Sequence, residues 1–158
     1  MVKRILVVDD DERILFVLEH ALRSLGPDTE VITATNAAQA LEQVSEVRVD
    51  LVLTDLAMPG EDGITLTDKL RALIPPTPVI WVTAYQGPRV AAEARRLGVY
   101  QCLIKPVELS VIRAAARGAL EAASEQSRMA VSQDERRGGR ERGGELNLVR
   151  GSRVLRVE

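Results

Sequence analysis

What most constrains this chain is a rhythm. Five short strand-like runs, at residues 5–8, 30–34, 51–54, 78–83 and 100–104, are separated by stretches whose apolar residues follow helical spacing. The runs starting at Ile5, Leu51 and Val79 are unbroken apolar and rich in β-branched residues, as strands covered on both faces are. Between the first two runs, Leu15, Leu18, Leu22 and Leu25 form one stripe ahead of Gly26-Pro27. Asn36 reads as the cap of a second helix that buries Ala37, Ala40, Leu41 and Val44. A third helix, with Leu66, Leu70 and Leu73 inward, stops at Pro75-Pro76. A short Ala/Arg helix is predicted from about Val90 to Leu97, ending at Gly98. The last one carries Leu109, Ile112, Ala116, Ala119 and Leu120 to about Ala123 or somewhat beyond. Strands alternating with helices imply right-handed crossovers and a parallel sheet with helices on both faces. The expected fold is α/β: a (βα)5 doubly wound, parallel five-stranded sheet of flavodoxin-like order 2-1-3-4-5.

Composition agrees with that architecture and narrows the partners. Aromatic residues make up 3% of the 158, so Val, Leu, Ile and Ala must fill the core. The length suits one domain with a surplus, divided as residues 1–123 and 124–158. Residues 1–123 carry 13 Lys/Arg against 17 Asp/Glu, and 124–158 carry 8 against 6, which gives no general attraction for nucleic acid or anionic lipid. The single cysteine, Cys102, excludes an internal disulfide and a multi-cysteine metal site. The apolar run after Lys3-Arg4 stops at the acids 9–12 and is no export signal, and no stretch approaches membrane-spanning length. A cytoplasmic location is expected.

In a doubly wound sheet, ligands sit beyond the carboxyl ends of the strands, at the switch point between the first and third. The residues that close the strands are Asp9 and Asp10, Asp55, Thr83 and Lys105. Three carboxylates brought close together raise each other's pKa unless a cation joins them. Oxygen-only donors on a wet rim suit Mg²⁺, and without metal Lys105 is the counter-ion for Asp55. Such a rim can accept a phosphoryl group, with Asp55 as nucleophile, Thr83 as hydrogen-bond donor and Lys105 as charge partner. Taken singly, each residue has an ordinary explanation. Acids favour helix N-termini, and a threonine or lysine commonly closes a strand. Asp55 is harder to dismiss, because aspartate is depleted in strands.

Residues 1–123 resemble a receiver domain of the bacterial two-component response regulators. The resemblance rests on VVDDDE after the first strand, the segment DLVLTDLAMPGEDG, VTAY after the fourth strand and IKP after the fifth. It implies that Asp55 is the phosphoacceptor and that Asp9 and Asp10 form the acidic metal pocket. Thr83 would be the switch hydroxyl and Lys105 the lysine that precedes a cis-proline bond at Pro106. The Ala57 carbonyl would be a further metal ligand, and Ala57 and Tyr85 would flank the path of the hydrolytic water. The implied partners are a sensor histidine kinase or phosphotransfer protein and a downstream protein. A homodimer could form through the fourth helix, fifth strand and fifth helix. One position departs from the pattern: three residues before the lysine, where receivers generally have an aromatic relay, stands Cys102. By strand alternation Tyr100 shares its face.

The expected activity is Mg²⁺-dependent acceptance of a phosphoryl group on Asp55 that switches protein–protein contacts, with no reaction beyond the domain's own phosphorylation and dephosphorylation. A stand-alone receiver is the preferred organisation, and the input part of a longer transcriptional or enzymatic regulator is the alternative. An aspartyl-nucleophile phosphohydrolase is disfavoured because the second acid such enzymes place two residues after the nucleophile is here Ala57. A dinucleotide site lacks its glycine-rich loop. The only histidine, His20, lies on the first helix away from the rim and supports no phosphotransfer role. From Ser124 the chain reads as a frayed helix and an Arg/Gly-rich flexible tail, with a weak hairpin conceivable at 146–157. Its interleaved acids and lack of aromatics argue against nucleic-acid binding.

Overall fold

The computed structural model describes residues 1–141. Five strands, β1 (Lys3–Val8), β2 (Thr29–Ala34), β3 (Leu51–Thr54), β4 (Val79–Thr83) and β5 (Gln101–Ile104), form one sheet of order β2-β1-β3-β4-β5. Every pairing is parallel, as the expected (βα)5 flavodoxin-like arrangement requires. The helices are α1 (Glu12–Arg23), α2 (Ala37–Glu46), α3 (Gly63–Leu73), α4 (Pro88–Arg96) and α5 (Leu109–Glu141). Asp11, Asn36 and Asp62 cap α1, α2 and α3, each accepting from a backbone N–H in the first turn.

Two apolar clusters cover the two faces of the sheet. On one, Ile5, Val7, Leu51, Leu53, Ile80 and Val82 meet α1 and α5 through Leu15, Leu18, Leu22, Ile112 and Ala116. On the other, Leu6, Val8, Val52 and Trp81 meet Ala37, Ala40, Leu66, Leu70 and Leu97. Alternation along unbroken apolar strands supplies both faces at once, so these runs show no polar side.

Three expectations are corrected. Leu73 points outward and is 60% exposed, because the buried stripe of α3 is Leu66, Thr67 and Leu70. α4 starts at Pro88, a residue pre-organised for the first turn, rather than near Val90, and none of its residues is fully buried. Tyr100 precedes β5, so strand alternation does not govern it. Its hydroxyl lies against Gly118 of α5, whereas Cys102 packs in the cluster of Trp81 and Leu97. Beyond Ser124, where a frayed helical extension was expected, α5 runs on to Glu141. The conceivable hairpin at 146–157 lies outside the described residues. By internal contacts residues 1–124 form one unit, and Glu125–Glu141, which belongs to the other, is helical throughout. Among the described residues no helix is long and apolar enough to cross a membrane.

Candidate functional site

The sheet brings the polar strand ends together. Val8 pairs with Thr54, so Asp9 and Asp55 are the next residues on neighbouring strands, and the Asp55 N–H donates to the Val8 carbonyl at 3.0 Å. On the other side Thr83 pairs with Ile104, and the Lys105 N–H donates to the Thr83 carbonyl at 2.9 Å. The ladder thus extends one residue past the strands and fixes the backbones of Asp55 and Lys105. A cis peptide joins Lys105 to Pro106.

Lys105 lies between two carboxylates. Its Nζ donates to Asp55 Oδ2 at 2.8 Å and to Asp9 Oδ2 at 2.9 Å. The other oxygens are also engaged: Asp9 Oδ1 accepts from the Asp11 N–H at 2.9 Å and Asp55 Oδ1 from the Ala57 N–H at 3.2 Å. Asp9 and Asp55 are 3% and 9% exposed, so these partners compensate real desolvation. Burial pushes the Asp9 carboxyl above its usual range, outweighing the Asp11 N–H and Lys105, which pull it down. For Lys105, burial alone would lower the ammonium's pKa. The hydrogen bonds it donates to Asp55 and Asp9, with their negative charge, more than reverse this and hold it above its ordinary value.

Asp10 completes the acidic group from an exposed position. One oxygen each from Asp9, Asp10 and Asp55 lie within 4.8 Å of one another. An octahedral Mg²⁺ at about 2.0–2.1 Å from each ligand spans roughly 4 Å between opposite oxygens, so this all-oxygen set fits a small hard cation after a slight contraction. Thr83 closes β4 as expected but does not join the hydrogen-bonded group. It is fully buried, and its Oγ1 accepts from the Tyr85 N–H at 3.2 Å. Ala57 and Tyr85 are exposed beside the rim strands, with Tyr85 at 60%.

Comparison with known proteins decides the family. The response regulator receiver domain model matches residues 5–117. The chain belongs to this family. The receiver domain is 41% identical over 116 residues to the transcriptional regulatory protein ZraR of Escherichia coli K12, covering 73% of this chain and 26% of ZraR. It is 37% identical over 103 residues to the DNA-binding transcriptional regulator NtrC of the same organism, covering 65% of this chain and 22% of NtrC. The chain therefore spans about a quarter of the length of these curated relatives. Among solved structures, a CheY-like receiver domain protein from Methanospirillum hungatei superposes with a TM-score of 0.76 at 28% identity, covering 80% of this chain and 99% of that one. NtrX from Brucella abortus superposes at 0.75 with 29% identity, covering 82% of this chain and 30% of NtrX.

The receiver domain also holds groups that sequence reading passed over. The first is the second carboxylate on Lys105: sequence reading placed Asp9 on the same rim but paired Lys105 with Asp55 alone. The second is Gly63 at the start of α3. A Cβ there would run into the Asp55 carbonyl oxygen and stand 2.8 Å from Leu56 Cα, so only glycine lets α3 approach the Asp55 backbone this closely. The third is Thr67, fully buried on α3, whose Oγ1 accepts from Trp81 Nε1 at 2.9 Å. The only signal for Thr67 was a polar residue on an otherwise apolar helix stripe.

Proposed function

We propose that Asp55 is the phosphoacceptor of this receiver domain, served by a Mg²⁺ site at Asp9, Asp10, Asp55 and the Ala57 carbonyl. The observation that carries the reading is the shared ammonium: Lys105 within 2.8–2.9 Å of both Asp55 and Asp9, on the rim where the other acid converges. Bound Mg²⁺ supplies charge neutralisation for phosphoryl oxygens and for the acidic group. Asp55 is the nucleophile: one carboxylate oxygen forms a bond to phosphorus as the bond from phosphorus to the donor histidine nitrogen breaks, and the freed imidazole takes a proton. Lys105 stays paired with Asp55 and turns its remaining donors toward the incoming phosphoryl oxygens. Thr83 holds a hydroxyl at the adjacent strand end, whose oxygen accepts from the Tyr85 N–H while its proton is left to donate to them. Ala57 and Tyr85 leave the approach of the hydrolytic water open. The domain promotes only its own phosphorylation and dephosphorylation.

Receiver domains of response regulators interact with histidine kinases and downstream effector domains. For this chain the donor is a sensor histidine kinase or phosphotransfer protein in the cytoplasm, and residues 1–123 are the receiver, with 124–158 as an extension. Tyr100, Leu109 and Val111 expose apolar surface beside β5 and at the start of α5, which supports a docking or homodimer face there. The quarter-length coverage of ZraR and NtrC favours a second organisation, in which this domain is the input part of a longer regulator. The test of the main reading is incubation with Mg²⁺ and a small phosphodonor. The wild type gains the mass of one phosphoryl group and Asp55→Asn gains none. A wild type that takes up nothing, or an Asp55→Asn variant that still does, overturns the reading.

A further inference from the structure

We propose that the buried Trp81–Thr67 hydrogen bond is a positioning clamp for Asp55, setting the geometry on which metal affinity and phosphoryl uptake depend. The proposal rests on the reading of Asp55 as phosphoacceptor.

Trp81 lies on β4, paired with Thr54 of β3 on one side and Cys102 of β5 on the other, and is fully buried. Its Nε1 donates to Thr67 Oγ1 at 2.9 Å, and the Thr67 hydroxyl donates onward to the Gly63 carbonyl at 2.7 Å. Both side chains are fully buried, so removing the Thr67 hydroxyl leaves the indole N–H with no water to replace it, while removing the indole leaves Thr67 bonded to Gly63 alone and cuts the link to β4. The bonds therefore tie the first turn of α3 to the centre of β4.

That first turn is the part of α3 that meets the acceptor. Gly63 is packed so closely on the Asp55 carbonyl that no Cβ fits between them, and its N–H donates to the Leu56 carbonyl at 2.9 Å. The same Asp55 carbonyl accepts from Thr54 Oγ1 at 2.9 Å, again from a buried group. The backbone of Asp55 is thus held from the Trp81 side through Thr67 and Gly63, and from its own strand through Thr54. A shift of α3 away from β4 moves Gly63, loosens its packing on the Asp55 carbonyl and its bond to Leu56, and lets the Asp55 backbone and the carboxylate it carries re-orient. The loop that carries Ala57 begins at the same point.

The clamp also accounts for Cys102. Trp81 and Cys102 are cross-strand neighbours in one cluster, so the aromatic bulk stands on β4 and a small side chain faces it on β5. Trp81 is the chain's single tryptophan, and its emission reports this one environment.

The experiment compares the full chain with Thr67→Val, which keeps the shape and loses the hydroxyl, and with Thr67→Ser, which restores it. Trp81→Phe, which keeps a ring and loses the donor, is the second disruption. Mg²⁺ affinity is measured by calorimetry and phosphoryl uptake from a small donor by intact mass, well below each melting temperature. Expected are a loss of about tenfold in Mg²⁺ affinity for Thr67→Val and Trp81→Phe, slower uptake, and recovery to near wild type in Thr67→Ser. Addition of Mg²⁺ is expected to shift Trp81 emission in the wild type and to shift it less in Thr67→Val. If Thr67→Val does not fold, Trp81→Phe carries the comparison. Folded variants with lower melting temperatures but wild-type affinity and uptake overturn the proposal, leaving the bond a matter of packing. A wild type without uptake overturns the reading of Asp55 itself.

Discussion

Replacing Lys105 with methionine keeps most of the aliphatic stem and removes the ammonium shared by Asp9 and Asp55. Two charge-assisted hydrogen bonds are lost, worth roughly 1.5–3 kcal/mol each in buried settings. Against this, the ammonium no longer has to be desolvated, and the lysine side chain's 22% exposure screens the pair, leaving a net cost of about 3 kcal/mol. With an unfolding entropy of about 2.1 cal/mol/K per residue, a domain of this size loses about 4 °C per kcal/mol, or roughly 12 °C in all. The assay is thermal unfolding followed by circular dichroism in chelator at low salt, repeated with excess Mg²⁺. A divalent cation among the same carboxylates takes over the neutralisation, so Mg²⁺ should raise the variant's melting temperature more than the wild type's. Lys69→Met is the control, since its pairing with Glu61 is 52% exposed on the lysine side and is expected to matter little. A Lys105→Met protein melting within about 2 °C of wild type in chelator would refute the reasoning, because rescue and loss both derive from the same uncompensated charge.

Two glycines should respond to alanine with opposite signs. Gly63→Ala drives a Cβ into the Asp55 backbone and should cost about 2 kcal/mol after its gain in helix propensity, measured by urea unfolding. Gly118→Ala meets only the Tyr100 hydroxyl, the end of a 43% exposed side chain that can swing away, so it should stabilise by about 0.5–1 kcal/mol. Arg71 donates to the Leu97 and Thr77 carbonyls at 2.6 Å and to Gly98 at 3.1 Å, so Arg71→Met should lower stability by about 2 kcal/mol in the same assay. Titration in chelator should show two opposite effects. Asp9's raised pKa means its burial cost is relieved as pH falls through the folded value toward 3.8, so Asp9→Asn should gain stability on wild type at neutral pH and lose that gain in acid. Lys105's raised pKa gives stability fully present below 10.5 and lost as pH rises through the folded value, a loss that Lys105→Met should not show.

The sheet was legible because its central strands β1, β3 and β4 are written as nearly unbroken apolar runs, and β1, β3 and β5 end at a residue too polar to continue them. Asp9, Asp55 and Lys105 could therefore be placed on one rim from the strand ends, whereas the sharing of Lys105 between both carboxylates is a side-chain choice that the register does not specify. Thr83 was placed correctly along its strand, but its hydroxyl is committed to the Tyr85 N–H, a local bond that strand position does not specify. Leu73 was misplaced because three leucines at helical spacing suggested a stripe that the buried Thr67 interrupts. A buried threonine reads as a surface residue until its partner is known, and Trp81 is 14 residues away on another element. A helical extension past Ser124 was expected, but its end at Glu141 was not legible, since a helix without an apolar face carries no periodic signal.

The central claim, a phosphoryl bond formed at Asp55, is tested most directly by locating the modified residue. Borohydride reduction of an aspartyl phosphate leaves homoserine, which peptide sequencing by mass spectrometry can place. After treatment with a small phosphodonor and Mg²⁺, homoserine is expected at position 55 and should be absent when Mg²⁺ is withheld or Asp55 is replaced by asparagine. Homoserine at another acid, phosphate retained on a serine or threonine, or no modification at all would contradict the account.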